Sequence, residues 1–251
     1  MKTQILLLCF CLCNSILLFA QQAFFDANGK ATTCYFCNKN TLQGVQEFKF
    51  YYENGQLALH FFCNKDKREG LYQRYYPSGQ IKEKIQYKND NVEGLWLSFY
   101  ENGKPLLAHM YKADKPHGDQ KEYYENGILA YQVKYKAGEK QGEEQYYNQQ
   151  GKLLQTNYYK DNKPDGDYVT YYERTSQICD KGFYNNGKRD GKFLTYDENG
   201  NLLESLSYKN GVQHGTQAVY NEDGSFFIES IYENGKCIKR TFADGSTDED
   251  L

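Results

Sequence analysis

One feature constrains this chain more than any other: glycines recur on a clock of about 24 residues. Gly44, Gly70, Gly94, Gly118, Gly142, Gly166, Gly191 and Gly215 are separated by 26, 24, 24, 24, 24, 25 and 24 residues. A second glycine follows nine residues after most of them, at Gly79, Gly103, Gly127, Gly151, Gly200 and Gly224, with Gly55 in the longer first unit and Thr175 in its place in the sixth. Aromatic residues keep the same time. Tyr51, Tyr75, Phe99, Tyr123, Tyr147, Tyr171, Tyr196 and Tyr220 stand four residues before the second glycine position. Tyr87, Tyr111, Tyr135, Tyr159, Tyr184 and Tyr208 stand seven before the next opening glycine; Cys63 occupies the first place in that column and Tyr232 continues it. A fixed period of this length is the mark of a repeat architecture, in which each unit buries its apolar face against its neighbours.

Each unit reads as two short strands. The first runs from the opening glycine to the aromatic pair, as in Leu71 to Tyr76, and the second starts on an apolar residue such as Leu57, Ile81, Leu129, Leu153 or Leu202. Between them the turn is often Glu-Asn-Gly, at 53–55, 101–103, 125–127 and 198–200. Asn-Gly is a strong hairpin signal because both residues tolerate positive φ. A strand about every 12 residues, with polar turns between, is the pattern of an antiparallel meander. The apolar mass is carried by 25 Tyr and 15 Phe rather than by aliphatic side chains, which suits a pleated, half-buried surface. The expected fold is all-β: an elongated antiparallel β-meander sheet of about eight tandem hairpins over residues 44–238. Residues 21–43 are read as an N-terminal cap, and 239–251 as a C-terminal cap with an acidic, solvated tail.

The N-terminus has a different character. Lys2 precedes an apolar run from Ile5 to Phe19, broken only at Asn14 and Ser15, and Ala20 precedes Gln21-Gln22. This is the pattern of a secretory signal peptide cleaved after Ala20; the run is shorter than the roughly 20 residues that span a bilayer. The expectation is a secreted or periplasmic chain with no transmembrane segment once processed. Net charge is −3 with interspersed signs and a pI of about 5.9, so no basic stripe for nucleic acid is present.

Stretches such as Tyr87-Lys88-Asn89-Asp90-Asn91-Val92-Glu93-Gly94-Leu95-Trp96 and Tyr208-Lys209-Asn210-Gly211-Val212-Gln213-His214-Gly215 resemble the MORN-repeat variant, the second MORN type. The resemblance implies an elongated β-meander, a role in attachment to proteins or membrane surfaces, and no catalytic residues. Bacterial members are grouped as YwqK-type antitoxin-like proteins, which implies neutralising a partner protein. Aromatic hairpins ending in Asn-Gly also occur in wall- and choline-binding repeats, but those use Trp cages and a shorter period, and Trp96 is the single tryptophan here.

No residues group into a catalytic site, and none is read as binding a cofactor or metal. His117 and His214 each precede a repeat glycine, and His60 and His109 lie on second strands. The most useful candidates for a partner are a second set of rings, facing away from the first aromatic column: Tyr52, Tyr72, Tyr76, Trp96, Tyr100 and Tyr124, with Gln120 and Glu144 replacing rings in the middle of the array. Exposed, they would contact a protein or surface glycan; buried, they would pack repeat against repeat. The expected function is a non-enzymatic exported interaction scaffold. A structural spacer and an antitoxin-like neutraliser are the alternatives.

Among the cysteines, Cys34-x-x-Cys37 followed by His60-x-x-Cys63 has the spacing of a zinc site, but residues three apart on a strand face opposite ways. An oxidising compartment favours instead a disulfide from Cys34 or Cys37 to Cys63, tying the cap to the first hairpin. Thiol mapping of the exported protein with and without reductant should therefore reveal a masked pair; five reactive thiols without reductant would exclude the bond.

Overall fold

The computed structural model describes residues 24–25, 31–32, 44–65 and 67–249, the first two pairs by their backbone alone. Every regular element among them is a β-strand, so no described helix is long and apolar enough to cross a membrane. The expected signal peptide, Cys34 and Cys37 lie outside the described residues. Within the expected N-terminal cap, Phe24–Phe25 pairs antiparallel with Ala31–Thr32. The meander divides into two compact units: residues up to 104 with 111–114, and 105–110 with 115 onward.

In the first unit, strands Val45–Tyr51 and Leu57–Asn64, Gly70–Tyr75 and Ile81–Lys88, and then Asn91–Phe99 follow one another antiparallel. In the second, the same alternation runs from Lys115–Tyr123 and Leu129–Lys136 through Glu139–Tyr147, Leu153–Lys160, Lys163–Tyr171, Ile178–Asn185, Gly191–Tyr196, Leu202–Lys209, Gly215–Tyr220 and Phe226–Glu233 to Lys236–Phe242. The acidic tail does not simply trail off. Asp244-Gly245 turns the chain once more, and Thr247–Glu249 pairs with Lys239–Thr241 while Lys239 Nζ meets Glu249 Oε1 at 2.6 Å. The array thus ends in a ninth, shorter hairpin.

Two corrections concern the turns. In Glu-Asn-Gly only the glycine takes positive φ, for example +82° at Gly55 and Gly103. Its N–H bonds back to the carbonyl of Tyr52 at 2.9 Å, and the Asn54 side chain accepts from the N–H of Gln56 at 3.0 Å. This is a turn closed by a left-handed glycine, with asparagine bracing it from outside. Paired positive φ occurs instead at the two-residue turns between units: Asn89-Asp90, Ala113-Asp114, Ala137-Gly138, Asp161-Asn162, Asn186-Gly187, Asn210-Gly211 and Asn234-Gly235. Those turns have the torsions of a type I′ hairpin. In the sixth repeat the extra residue lengthens the loop, and Ser176, at φ +60°, takes the left-handed place in the turn.

Four of the opening glycines, Gly94, Gly118, Gly142 and Gly166, sit inside strands, whereas Gly70, Gly191 and Gly215 start theirs. Asn91–Phe99, Lys115–Tyr123, Glu139–Tyr147 and Lys163–Tyr171 each begin three residues before their glycine. There the pairing to the preceding strand slips: Val133 faces Glu144, but the next residue, Lys134, faces Gln141. The glycine is therefore part of a bulge on that side, while on its other side it pairs with a tyrosine, as Gly142 does with Tyr159 and Gly166 with Tyr184.

Successive units are clamped at both ends. At the type I′ turns, the Asp90 N–H donates to the Arg68 carbonyl at 3.0 Å, and Asp90 Oδ1 accepts from the Arg68 N–H at 2.9 Å. Asp114 with Val92 and Asn162 with Lys140 repeat this pair of bonds; where glycine is the second turn residue, as at Gly211, the backbone half remains. The residue before each opening glycine braces the same turn: Glu69 and Glu93 accept the N–H of Asn89 and Ala113, both at 2.8 Å, and His117 does so for Ala137 at 3.3 Å. At the opposite ends, tyrosine hydroxyls donate to main-chain carbonyls one unit on: Tyr52 to Tyr75 at 2.6 Å, Tyr76 to Phe99 at 2.8 Å, Tyr124 to Tyr147 at 2.7 Å and Tyr172 to Tyr196 at 2.8 Å.

These contacts set the cost of two substitutions. Gly142→Ala meets open space and loses about 1–2 kcal/mol from positive φ alone. Gly166→Ala loses more, because its added carbon would lie 2.7 Å from Tyr158 Cβ, which cannot swing away. Urea denaturation of the two variants should give that order. Tyr76→Phe should cost about 0.5–1.5 kcal/mol, the worth of one such bond.

Candidate functional site

Within each unit, strand pairing defines a row of buried and half-buried side chains, formed by the residue two after most opening glycines, or by Phe48 in the longer first hairpin, and its partners. In the first unit the row is aromatic. Phe48 and Phe61 stack at 4.9 Å, Phe61 lies 5.9 Å from Tyr72, Tyr72 meets Tyr87 edge-on at 5.7 Å, and Trp96 leans on Tyr111 at 5.7 Å. In the second unit the row begins with polar residues: Gln120 faces Val133, Val133 faces Glu144, and Glu144 faces Asn157. Rings return with Tyr168, Tyr184, Phe193 and Tyr208, each 5.4–6.1 Å from the next.

The rings proposed from sequence as partner-binding are thereby located. Tyr52, Tyr76 and Tyr124 are half-buried and spend their hydroxyls on the clamps; Tyr72 and Trp96 are half-buried in the ring row, and Tyr100 is half-buried beside the 101–103 turn. The Trp96 indole nitrogen is buried and finds no acceptor among the described residues. Cys63, the candidate disulfide residue, is buried at the end of the tyrosine column, opposite Arg68. Cys179 and Cys237 are half-buried thiols. His60 Nε2 lies 2.8 Å from Glu47 Oε1. The imidazole of His109 is pushed toward lower pKa by burial, with Glu122, 3.5 Å away, pulling the other way.

Sequence reasoning marked Glu144 only as a missing ring. It is the most deeply buried large side chain among the described residues, 1% exposed. Tyr131 donates to its Oε1 at 2.8 Å, Asn157 donates to Oε2 at 2.8 Å, and the Lys140 ammonium bonds Oε1. Burial pushes the Glu144 carboxyl up, but the bonds from Lys140, Asn157 and Tyr131, together with the lysine charge, outweigh it and hold the group below the usual carboxylate range. Burial also pulls Lys140 down, and the bond to Glu144 more than restores it. Tyr131 is driven far upward, first by burial and then by the carboxylate it serves. The four groups form a closed network that holds an ion pair in place; the carboxylate has no open side for a reactant.

Asn157 links this network to a cavity of about 240 Å³. Its walls are the rings of Tyr158, Tyr159, Tyr168 and Tyr184, with Pro164, the Asp167 carboxylate, and the amides of Gln155 and Asn157. Gln155 Nε2 donates to Asn157 Oδ1 at 3.0 Å, which fixes the asparagine with its other end on Glu144.

Lys140→Met leaves a buried carboxylate without its counter-charge and should destabilise the fold by about 3–5 kcal/mol. Because the folded Glu144 pKa is depressed, its stabilisation is present above the unfolded value of about 4.3 and is lost as pH falls through the folded one. Glu144→Gln should therefore be less stable than the natural protein at pH 7, with the gap closing below about pH 4; chemical denaturation across pH measures both.

Comparison with known families bears directly on these units. The profile of the MORN repeat variant matches residues 47–64, 68–89, 92–113, 116–137 and 189–210. A search of curated proteins found no match. The five matched segments fall on hairpins one to four and seven, and the paired-φ turns between hairpins and the tyrosine column continue through the hairpins between and after them. On its repeats and their structure, this chain is a member of the MORN-repeat-variant proteins.

Proposed function

We propose that this protein is an exported, non-enzymatic scaffold that binds a partner protein along the outward face of its strands. One observation carries the reading: large apolar side chains stand exposed in register on that face. In the first unit Leu71 and Leu95, directly after opening glycines, are 38% and 42% exposed. In the second unit Tyr158 and Phe183, paired across from Glu143 and Asp167, are 38% and 43% exposed. Recurrent apolar groups rimmed by polar ones mark a contact surface.

The ring set Tyr72, Trp96 and Tyr124 then acts indirectly, by holding hairpins in register so that the outward residues align. Export is supported by the Lys2, apolar run and Ala20 pattern. Protein capture also suits the antitoxin-like grouping of bacterial relatives, with neutralisation as one consequence of capture outside the cytoplasm.

Crosslinking and affinity capture from the native host test the reading. The natural chain should recover a protein partner, and Leu71→Ser with Leu95→Ser should lose it while the β-sheet spectrum stays unchanged. Capture undiminished in that variant would refute the outward-face assignment. Trp96→Ala, in contrast, should lower thermal stability whether or not the partner is present.

A further inference from the structure

The residue two before each opening glycine lies among the second tyrosine column, and in three repeats it is a cation seated on a ring. The Arg68 guanidinium lies 4.0 Å from the centre of Tyr87, the Lys140 ammonium 4.9 Å from Tyr159, and the Arg189 guanidinium 5.2 Å from Tyr208 and 4.7 Å from Phe193. Cations settle on ring faces because the π-cloud is electron-rich, and the attraction grows as water is excluded. The position is Val92, Pro116 and Gln213 in repeats three, four and eight, and in the sixth repeat it is Pro164, between Tyr159 on one strand and Tyr184 on the next. Proline has neither the length nor the charge to fill the seat. The cavity of about 240 Å³ opens beside Pro164.

The cavity walls suit a cation. Tyr159, Tyr168 and Tyr184 supply rings, Asp167 a carboxylate, and Asn157 an amide, and no lysine or arginine is part of the lining. Asp167 is solvent-exposed at the outward face, so the seat communicates with the surface proposed above as the docking face. Arg189, paired across from Tyr184, donates to the hydroxyl of Tyr208 at 3.0 Å, and Lys140 is committed to Glu144, so the neighbouring cations are already engaged. The volume is below the roughly 300–1,000 Å³ of pockets for drug-sized ligands, and it matches a single side chain. The cavity lies between the matched family segments, within 138–188.

The geometry points to a seat for one arginine or lysine side chain of the partner protein, held by the rings and the Asp167 carboxylate much as Arg68, Lys140 and Arg189 are held on rings within the chain. This rests on the protein-scaffold reading for its biological partner, but the seat can be tested without that partner. The full chain is titrated with Nα-acetyl-arginine amide and Nα-acetyl-lysine amide, followed by NMR of tyrosine ring resonances. Nα-acetyl-citrulline amide and methyl glucoside serve as neutral controls. Saturable binding of the cationic probes is expected, with shifts at Tyr159, Tyr168 and Tyr184 and citrulline weaker by about tenfold. Pro164→Arg, which supplies an internal cation as in repeats two and seven, should abolish binding. Asp167→Asn, an exposed change that spares the fold, should weaken it several-fold and decides the matter if Pro164→Arg does not fold. Equal binding of citrulline or of the glucoside, no saturable binding of either cation, or arginine binding undiminished in the folded variants would overturn the proposal. Failure to capture a protein partner, with probe binding intact, would instead count against the scaffold reading alone.

Discussion

Hydrogen bonds that run from one hairpin to the next, at both ends of the strands, set the geometry on which everything else depends. A lone hairpin is marginal in water, because it cannot bury its apolar face. Here the turn residue Asp90 exchanges two bonds with the main chain of Arg68, Glu69 receives the Asn89 amide, and Tyr76 reaches the Phe99 carbonyl at the far end. Each bond adds little alone, about 0.5–1.5 kcal/mol. Their repetition fixes register, and register decides which side chains are buried, since a slip of one residue would turn every side chain to the opposite face.

With register fixed, the buried row tolerates variation in chemistry as long as each polar group is satisfied. Rings fill it at Tyr72 and Phe193; at Glu144 the same place holds a carboxylate, because Lys140, Tyr131 and Asn157 meet its oxygens. An unpaired charge there would be costly, and a paired one is roughly neutral against a hydrophobic alternative. The glycine bulges belong to the same logic. Gly166 has no side chain where Tyr158 passes, so the exposed ring of one strand packs down on the bare backbone of the next. Gly182, in turn, leaves room for the Phe193 ring, which an added carbon would strike.

Much of this was legible beforehand for a local reason. Strand spacing, the aromatic columns and the positions of turns are written every 24 residues, and repetition averages away the ambiguity of any single hairpin. The turn types were less legible. Asn-Gly within a repeat looked like the place for paired positive φ, yet Asn102 keeps an ordinary backbone and braces Lys104 with its side chain, whereas Ala113-Asp114, with no glycine at all, takes the left-handed pair. The clamp from Asp114 to Val92 holds that strained turn, and a bond between residues 22 apart in sequence leaves no local signature. His117 and His214 were legible as turn residues, but their role as acceptors for the amides of Ala137 and Asn234 was not.

By itself, the sequence determined the hairpin count within one short terminal hairpin, the two glycine columns and the two tyrosine columns. These follow from residue type at a fixed period, which acts through local backbone preference and side-chain alternation. Tertiary structure decided which rings are spent inside: Tyr52, Tyr76 and Trp96 are held between repeats, while Leu71, Leu95, Tyr158 and Phe183 remain outside. It also decided that a cavity walled by Tyr159, Tyr168, Tyr184 and Asp167 opens beside Pro164. Both outcomes depend on which residues of neighbouring hairpins come to face each other, and bulges shift that pairing by amounts that no count along the chain contains.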